Sequence, residues 1–427
     1  MKFGMPNSRR EVIMKRKKTL FAVFICLLFG NPVLFAATDR INAVDDAVQL
    51  GLKNSPYIKA HQHTLEANSV LPSKLGSLDD PMAGVRFNGL PAKNSAYDAD
   101  QKRYFINQSF PFFGELDRKK QLGEQQFQLA MVNYQIAENS FVFRVKKGYY
   151  QLVLNEALIQ VTKKNQDILQ KMVSIADVKY RSGSGLQGNV LKAEVTKGKL
   201  DEQLLQLQHQ KIKLQAEFQQ LLGVSENVVA SLNYSAGIKG ISENISLELI
   251  SETLTQKRAA LMQDVSKQKK RLQDDRYLPN FSAQIEYWDN AGMDNQYGGH
   301  IGMSIPWFNG KNAASVKEAE QHNLSAKEME LDQHNVNRTQ LQTLLSDINT
   351  TAKTIQLYRD SLIKNAELGL SSFQKAYEVD SVSFIDYFEA EKMLFGVEMD
   401  YAKLLYKYHM LRAKWESYFE KGDVLND

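Results

Sequence analysis

The sequence predicts an α+β membrane protein in which duplicated coiled-coil pairs of very long helices continue into a β-barrel, with four strands contributed by each chain. Three observations support this class. An apolar row with helical spacing begins after Tyr180 and recurs after Tyr377, 197 positions later. A pair of short alternating segments precedes each row. Between the first pair and the first row, the stretch from Glu115 to Arg181 contains no proline.

The two apolar rows indicate coiled-coil helices. Their residues alternate between steps of three and four, which keeps one apolar stripe turned towards a partner helix. Recurrence at a fixed offset indicates an internally duplicated chain, and an ordinary bundle of amphipathic helices is the alternative. The first row, interrupted at Lys197 and Lys211, contains Ala193, Leu200, Leu204, Leu207, Leu214, Phe218 and Leu221, and the second contains Ala390, Leu394, Val397, Tyr401, Leu404, Tyr408, Leu411, Trp415 and Tyr418.

Residues 1–36 have the pattern of a secretory signal peptide. A basic stretch at 15–18 precedes the apolar run Leu20–Phe29, and small residues follow it. This pattern is typical of a cleaved signal, and the run is too short to span a bilayer comfortably. The mean hydropathy of −0.40 disfavours a polytopic helical membrane protein.

Removal of this segment changes the charge and the chemistry of the chain. It carries seven Lys or Arg and one Glu, so the net charge of +4 becomes −2 in the mature chain, which disfavours a nucleic-acid partner. The one cysteine, Cys26, also lies within it. The mature chain would therefore have no disulfide, no thiolate metal site and no cysteine nucleophile.

Residues 37–223 are predicted to form a first structural repeat. It starts with a helix over Asp45–Ala67 that Pro56 interrupts. Two alternating segments around Val85–Gly89 and Arg103–Phe110 then predict a β-hairpin, with Phe105 as the one lapse. The proline-free helix that follows would be about 100 Å long at 1.5 Å per residue. After a turn, the first apolar row returns to Leu222, and Gly223 is a suitable C-cap.

Residues 224–243 are predicted to form a connector and residues 244–427 a second repeat of the same design. A helix over Leu247–Arg276 precedes a second hairpin, and its closing Pro306 lies 195 positions after Pro111 of the first. A second proline-free helix runs from Lys311 to Val379. It then reverses into the second apolar row.

The two hairpins together predict part of a transmembrane β-barrel. Their strands alternate between an apolar and a polar face, as lipid-facing and lumen-facing residues do. Four strands cannot close a barrel, and open strand edges are not tolerated in lipid because unpaired backbone groups each cost several kcal/mol. Three chains would supply twelve strands. A soluble hairpin that caps the helical bundle is the alternative.

The chain resembles the TolC-like outer membrane efflux proteins over essentially the whole mature sequence. The segments that carry the resemblance are Ala47–Pro56, Asp80–Pro81, Gln108–Gly114, and Tyr180 with Gly183, Leu191 and Ala193, together with their second-half echoes. Asp80–Pro81 and the Pro-Phe-Phe-Gly strand exit are most similar to the branch that serves heavy-metal cation pumps. The resemblance implies a homotrimer, with a 12-stranded barrel in outer membrane lipid and a helical tunnel in the periplasm, that works with an inner-membrane pump and a periplasmic adaptor.

The resemblance also implies a channel gate after the second turn. Two acidic residues narrow the tunnel mouth in the family, and the matching positions are Asp386 and Glu389. Their i, i+3 spacing places both on one helix face, and a ring of such carboxylates would select for cations. Asp380 stands where the family usually has glycine, which predicts a strained turn. Val382 replaces an arginine of some members, so gate-locking links through that arginine are not expected.

The turns at 181–188 and 379–384 are the expected docking tips for the adaptor. Apolar residues there would otherwise be exposed, which suits an interaction surface, and packing within the tip is the alternative. The expected docking residues are Arg181, Gly183, Leu186, Lys192, Val382 and Phe384.

Beside the loop of the second hairpin, an aromatic girdle at the membrane interface is predicted from Tyr287, Trp288 and Tyr297.

No motif for catalysis, a cofactor or a metal site emerges. His61 and His63 are two positions apart and do not converge on a helix. We therefore expect no enzyme activity but a passive outer-membrane duct for small solutes or metal cations. Two alternatives stay open: an outer-membrane duct of a type I protein secretion system, and a soluble periplasmic coiled-coil scaffold.

Overall fold

The computed structural model describes residues 43–89, 99–224, 238–241, 246–306 and 310–420. The predicted signal peptide at 1–36 and most of the predicted connector lie outside these ranges. Within them, no helix is both long and apolar enough to cross a bilayer.

The first half of the chain has the predicted order of helix, hairpin, very long helix and return helix. Its elements are α1 (Val44–Asn54), α2 (Pro56–Ser69), α3 (Leu71–Leu75), β1 (Met82–Asn88), β2 (Gln101–Phe110), α4 (Glu115–Arg181) and α5 (Gln187–Leu222). The break at Pro56 is confirmed, because α1 ends before Ser55 and proline takes the first position of α2. Gly223 is left-handed and ends α5 as predicted.

The second half repeats this order. Its elements are α6 (Leu247–Glu252), α7 (Leu254–Asp274), a 3₁₀ turn (Asp275–Tyr277), β3 (Phe281–Asn290), β4 (Gln296–Met303), α8 (Gly310–Leu357), a π-turn (Tyr358–Leu362), α9 (Ile363–Glu378) and α10 (Phe384–Glu416). The prediction of one helix over Leu247–Arg276 is wrong, since Thr253 is extended and separates two helices. Its hydroxyl accepts a hydrogen bond from the Gln256 amide and caps α7.

The long helices lie side by side in the order α5, α4, α10 and then α8 with α9. The predicted apolar rows form the seams, and Ala193, Leu200, Phe218 and Trp415 are buried in them. Helix α4 has 67 residues, so it is about 100 Å long. Because α5 has a helical neighbour on one side only, it leaves apolar residues exposed on the other.

The π-turn accounts for the last one-residue change in the offset between the two repeats, from 196 to 197. Before it, the buried Leu152 and Ile348 occupy equivalent positions and are 196 positions apart. After it, the buried Leu169 and Ala366 are 197 positions apart. A single π-turn accommodates one inserted residue. The buried residues after the insertion therefore stay on the same face of the second long helix as those before it.

Three apolar clusters hold the helices together. One belongs to the first repeat and contains Phe141 and Phe218, and a corresponding one in the second repeat contains Ile348 and Trp415. The third joins both repeats beside the two turns, where Leu169 of α4 packs with the aromatic start of α10. We call the two turns and this third cluster the tip.

The strands form one antiparallel sheet in the order β1-β2-β3-β4, so the two hairpins are joined through β2 and β3. The helices that flank the strands attach at one end of the sheet, which we call its helix end, and we call the opposite end its loop end. Strands β1 and β4 are the two edges, and neither has a partner on its outer side within this sheet.

Candidate functional site

The apolar face of the sheet is exposed, and its polar side chains interact with one another on the opposite face. Directly opposite residues in the register share a face, and Ala83, Ile106, Ile285, Gly299 and Ile301 fall on the apolar one. Ile106, Ile285 and Ile301 are largely exposed there. On the other face Glu286 is buried and accepts a hydrogen bond of 2.7 Å from the Trp288 indole, while Gln101 donates one of 2.6 Å to Asn290. A soluble sheet has the opposite arrangement, because it packs its apolar face on a core and exposes its polar face to water.

The lapse at Phe105 has a local explanation. Phe105 lies on the polar face opposite Gly84, and a Cβ atom on Gly84 would come within 2.7 Å of its ring. The ring therefore lies across the glycine, where a larger residue would not fit. The Phe105 ring therefore covers the backbone of β1 at Gly84, which has no side chain.

The predicted girdle is corrected in one residue. Tyr287 and Tyr297 are paired on the apolar face with ring centroids 5.3 Å apart, and Tyr104 extends the row. Trp288 lies on the polar face instead, because successive residues of a strand point to opposite faces. There the Arg103 guanidinium carbon lies 4.4 Å from its ring centroid.

A second aromatic group, which the sequence analysis missed, lies at the helix end. Phe112 and Phe113 approach Phe281 with ring centroids 6.4 Å and 5.8 Å apart, and Phe113 is highly exposed. Along β2, the six steps from Tyr104 to Phe110 cover about 20 Å. Two aromatic belts at about this spacing flank the apolar band of membrane barrels.

The two turns of the tip have matching backbones. Gly183 has a φ of 80° and Asp380, at the equivalent position, has a φ of 57°. The Ser184 amide donates to the Lys179 carbonyl, and the Ser381 amide donates in the same way to Ala376. The strain predicted at Asp380 is confirmed, since a residue with a Cβ in this conformation costs about 1–2 kcal/mol.

Lys179 connects the two turns. Its side chain is almost fully buried, its ammonium donates to the Asp380 carboxylate at 2.6 Å, and it lies 5.1 Å from the Tyr377 ring centroid. Its carbonyl accepts hydrogen bonds from both Ser184 and Gly185. One residue therefore holds its own turn and the turn of the other repeat.

The first turns of α10 carry two exposed carboxylates that both have nearby partners. Asp386 completes a capping box with Ser383, whose amide and hydroxyl donate to it at 3.1 Å and 2.7 Å. Glu389 forms an ion pair of 3.2 Å with Lys392 of the same helix. Both carboxylates lie on one exposed helix face, as their spacing predicts.

Glu391 lies on the opposite, buried side of the same helix. It is 1% exposed, and its Oε2 accepts no hydrogen bond from any described residue. Burial raises the pKa of Glu391 from 4.5 to about 7, against the lowering effects of the Asn165 side chain on α4 and of Lys392. The carboxyl lines a groove of about 640 Å³ whose other walls include Lys192 and Lys199 of α5.

Comparison with known proteins identifies this architecture. A family model described as outer membrane efflux protein matches residues 83–224, from β1 to the end of α5. CusC has 14% identity and a TM-score of 0.73, with 92% of this chain and 96% of that chain covered. VceC from Vibrio cholerae has 15% identity and a TM-score of 0.71, with 88% and 96% covered. A membrane protein from Pseudomonas aeruginosa has 14% identity and a TM-score of 0.75, with 88% and 90% covered.

The part of the chain from residue 83 to residue 224 is therefore similar to the outer membrane efflux proteins. The structural similarity extends the same fold over the second half, beyond the residues that the family model matches. No curated protein matches the sequence.

The structure revises which residues the tip exposes. Phe384 is 3% exposed and belongs to the apolar cluster of the tip, so its predicted exposure is wrong. Val382 packs partly against the same cluster, whereas Leu186 is 72% exposed as predicted. Sequence analysis missed Val379 and Ile385, which are both exposed. Phe384 turns inward and stacks on Phe388 with ring centroids 5.9 Å apart.

The remaining docking candidates, Arg181, Lys192 and Gly183, differ in their contacts within the tip. Arg181 is exposed and pairs with Asp177 one turn earlier, at 2.8 Å. Lys192 lies 4.6 Å from the Phe388 ring centroid, so it bridges the two return helices α5 and α10. A Cβ atom on Gly183 would meet no described atom within 4 Å, which leaves the first turn open on its outer side.

Proposed function

We propose that three copies of this efflux protein form a passive exit duct. A 12-stranded barrel would cross the outer membrane, and the long helices would continue it as a tunnel into the periplasm. An inner-membrane pump would deliver small solutes or metal cations to it through a periplasmic adaptor. The observation that carries the proposal is the sheet, whose apolar face is exposed while polar side chains such as Glu286, Trp288 and Gln101 interact with one another on the other face.

The open sheet edges support closure by other chains. Strands β1 and β4 leave one row of backbone groups each without a partner in this sheet. In hydrocarbon each unpaired group costs several kcal/mol, so β1 of one copy would pair with β4 of the next. Such a head-to-tail contact forms a ring when the rotation closes.

The exposed side of α5 supports the same arrangement in the tunnel. Leu191, Val195, Leu205 and Ile212 are exposed and follow a second row of three-four steps, which Gly198, Glu202 and His209 interrupt. A row of this kind requires a partner helix. The exposed edge of α8 and α9, with Met329 and Leu368, is the surface that a neighbouring copy would bring to it.

The tip supports a gated entrance. Asp386 and Glu389 would form the carboxylate ring at the tunnel mouth, although the capping box and Lys392 offset part of their charge. The Lys179–Asp380 pair would hold the two turns of one copy together in the closed state. Opening would then be a rigid-body separation of coiled-coil pairs, and the exposed Leu186 would contact the adaptor.

The heavy-metal cation branch is part of the proposal, on the strength of Asp80–Pro81 and the Pro-Phe-Phe-Gly strand exit. No observation favours a protein-secretion duct over this reading. A soluble scaffold is disfavoured, because its hairpins would expose Ile106, Ile285 and Ile301 to water.

A pair of adjacent residues on β4 tests the membrane orientation of the sheet. Ile301→Arg places a charge on the apolar face, and His300→Arg places the same charge on the polar face. At the bilayer midplane an outward arginine costs roughly 2–4 kcal/mol. We therefore expect I301R to be lost from outer-membrane fractions as a trimer, while H300R is retained and conducts in planar bilayers.

Two results would contradict the proposal. Equal recovery of both variants as outer-membrane trimers would show that the apolar face does not contact lipid. A wild-type protein that is a monomer in water, with no conductance in a bilayer, would exclude the duct itself.

A further inference from the structure

Two arginines face each other on the polar side of the sheet. Arg86 of β1 and Arg103 of β2 are directly paired in the register, and the row continues to Trp288 and Gln296. This row lies near the loop end, away from the helices. Like charges directly opposite each other destabilise a sheet, so their juxtaposition requires an explanation.

Aromatic rings position both guanidinium groups. The Arg103 guanidinium carbon lies 4.4 Å from the Trp288 ring centroid, and its Nε donates to Gln101 at 2.6 Å. The Arg86 guanidinium carbon lies 5.9 Å from the Phe105 ring centroid. A cation above an aromatic ring gains about 0.5–2 kcal/mol. A guanidinium stacked on a ring keeps its remaining N–H groups available, because they point outward in the plane of the guanidinium itself.

One nearby carboxylate, that of Glu286, offsets only part of the charge of the pair, because it interacts electrostatically with both Arg103 and Arg86. Glu286 is buried on the same face and accepts hydrogen bonds from the Trp288 indole and the Gln284 amide. Within the described parts of the chain, the arginines that form ion pairs are Arg118, Arg181 and Arg359. The row therefore presents two guanidinium groups against one carboxylate that is already engaged.

We propose that Arg86 and Arg103 form an oxyanion-binding ring on the lumen wall near the outer mouth of the barrel. The inference rests on the proposed function, because three copies and a closed barrel bring six guanidinium groups around one lumen. Guanidinium binds carboxylate and phosphate groups through paired hydrogen bonds. The ring gives the exit end a preference for solutes that carry such anionic groups. The proposed carboxylate ring at the tip has the opposite preference, for cations.

Electrical recording of reconstituted trimers tests the ring. The variants are R86Q/R103Q, the charge-preserving R86K/R103K, and K102Q as the matched control. Lys102 is next to Arg103 on β2 but on the opposite face, so K102Q removes one positive charge outside the lumen. The readouts are the chloride-to-potassium permeability ratio in a KCl gradient and the reduction of chloride current by added inorganic phosphate.

A charged ring raises the local counter-ion concentration by about tenfold or more at low salt, so we expect R86Q/R103Q to lower the permeability ratio severalfold and to abolish the effect of phosphate. R86K/R103K should keep the permeability ratio, and K102Q should keep both properties. Conducting R86Q/R103Q trimers that match wild type in both readouts would overturn the ring and leave the duct intact. If R86Q/R103Q fails to assemble, the single variants R86Q and R103Q give the same comparison. A wild type that forms no channel would refute the duct instead.

Discussion

Glu391 makes the stability of the tip depend on pH. We consider Glu391→Gln, which keeps the shape of the side chain and removes its charge. Glu194 is the matched control, because it lies 197 positions earlier at the equivalent place on α5 and is exposed. The variants E391Q and E194Q therefore alter the same residue of the repeat in two environments.

The size of the effect follows from the pKa of Glu391. Its rise from 4.5 to about 7 corresponds to about 3 kcal/mol, at about 1.4 kcal/mol per pKa unit. In an opened tip the carboxyl regains its ordinary pKa, so between these two values the closed tip holds a proton that the open tip has lost. Closing is therefore most favourable below about 4.5, weakens as the pH rises, and reaches its lowest value above about 7.

The charges around Glu391 set the direction of this change. Lys392 on its own helix and the Asn165 amide on α4 favour the charged form, whereas burial and Glu389 oppose it. Lys192 and Lys199 of α5 line the same groove. These cations do not overcome the loss of hydration, because the pKa is still raised.

Hydrogen exchange of the amides in the first turns of α10 measures the opening free energy directly. In wild type and E194Q it should fall by up to about 3 kcal/mol between about pH 4.5 and 7.5. In E391Q it should be independent of pH over this range. Parallel curves for wild type and E391Q would refute the reasoning, since they would show that another group titrates.

Three further changes test the remaining contacts. Lys179→Met removes the ammonium that holds Asp380, so the resting conductance in planar bilayers should rise, and an unchanged conductance would exclude a role for this pair in closure. Ile212→Glu places a charge in the exposed row of α5, and light scattering of the detergent-solubilised protein should show monomers; intact trimers would place the neighbouring copy elsewhere. Ser383→Ala removes the cap of α10, which is worth about 1 kcal/mol, and should speed amide exchange in its first turn, whereas unchanged exchange would show that the capping box adds no stability.

The positions of proline and the spacing of apolar residues predicted the long helices well. Helix α4 begins and ends where the proline-free stretch predicted, at Glu115 and Arg181. The seams were predictable because a three-four row has only one stripe to bury. The break at Thr253 was missed because neither proline nor glycine marks it, and the capping hydroxyl shows only when the chain is folded.

The candidate site was predictable only where a single segment determines it. Trp288 could have been placed correctly from strand alternation alone, because it cannot share a face with Tyr287. The contact between Lys179 and Asp380 could not, since it joins two turns 201 positions apart. Glu194 and Glu391 occupy equivalent positions in sequence, and only the location of α10 between other helices buries the second of them.

The π-turn at Tyr358–Leu362 bears on how a duplicated chain can accumulate insertions. One extra residue in an α-helix rotates every later side chain by about 100°, which would move the apolar row of α9 away from α10. A local widening confines that rotation to a single turn. The two halves could therefore diverge in length while their ends stayed level, so that Lys179 beside the first turn still reaches Asp380 in the second.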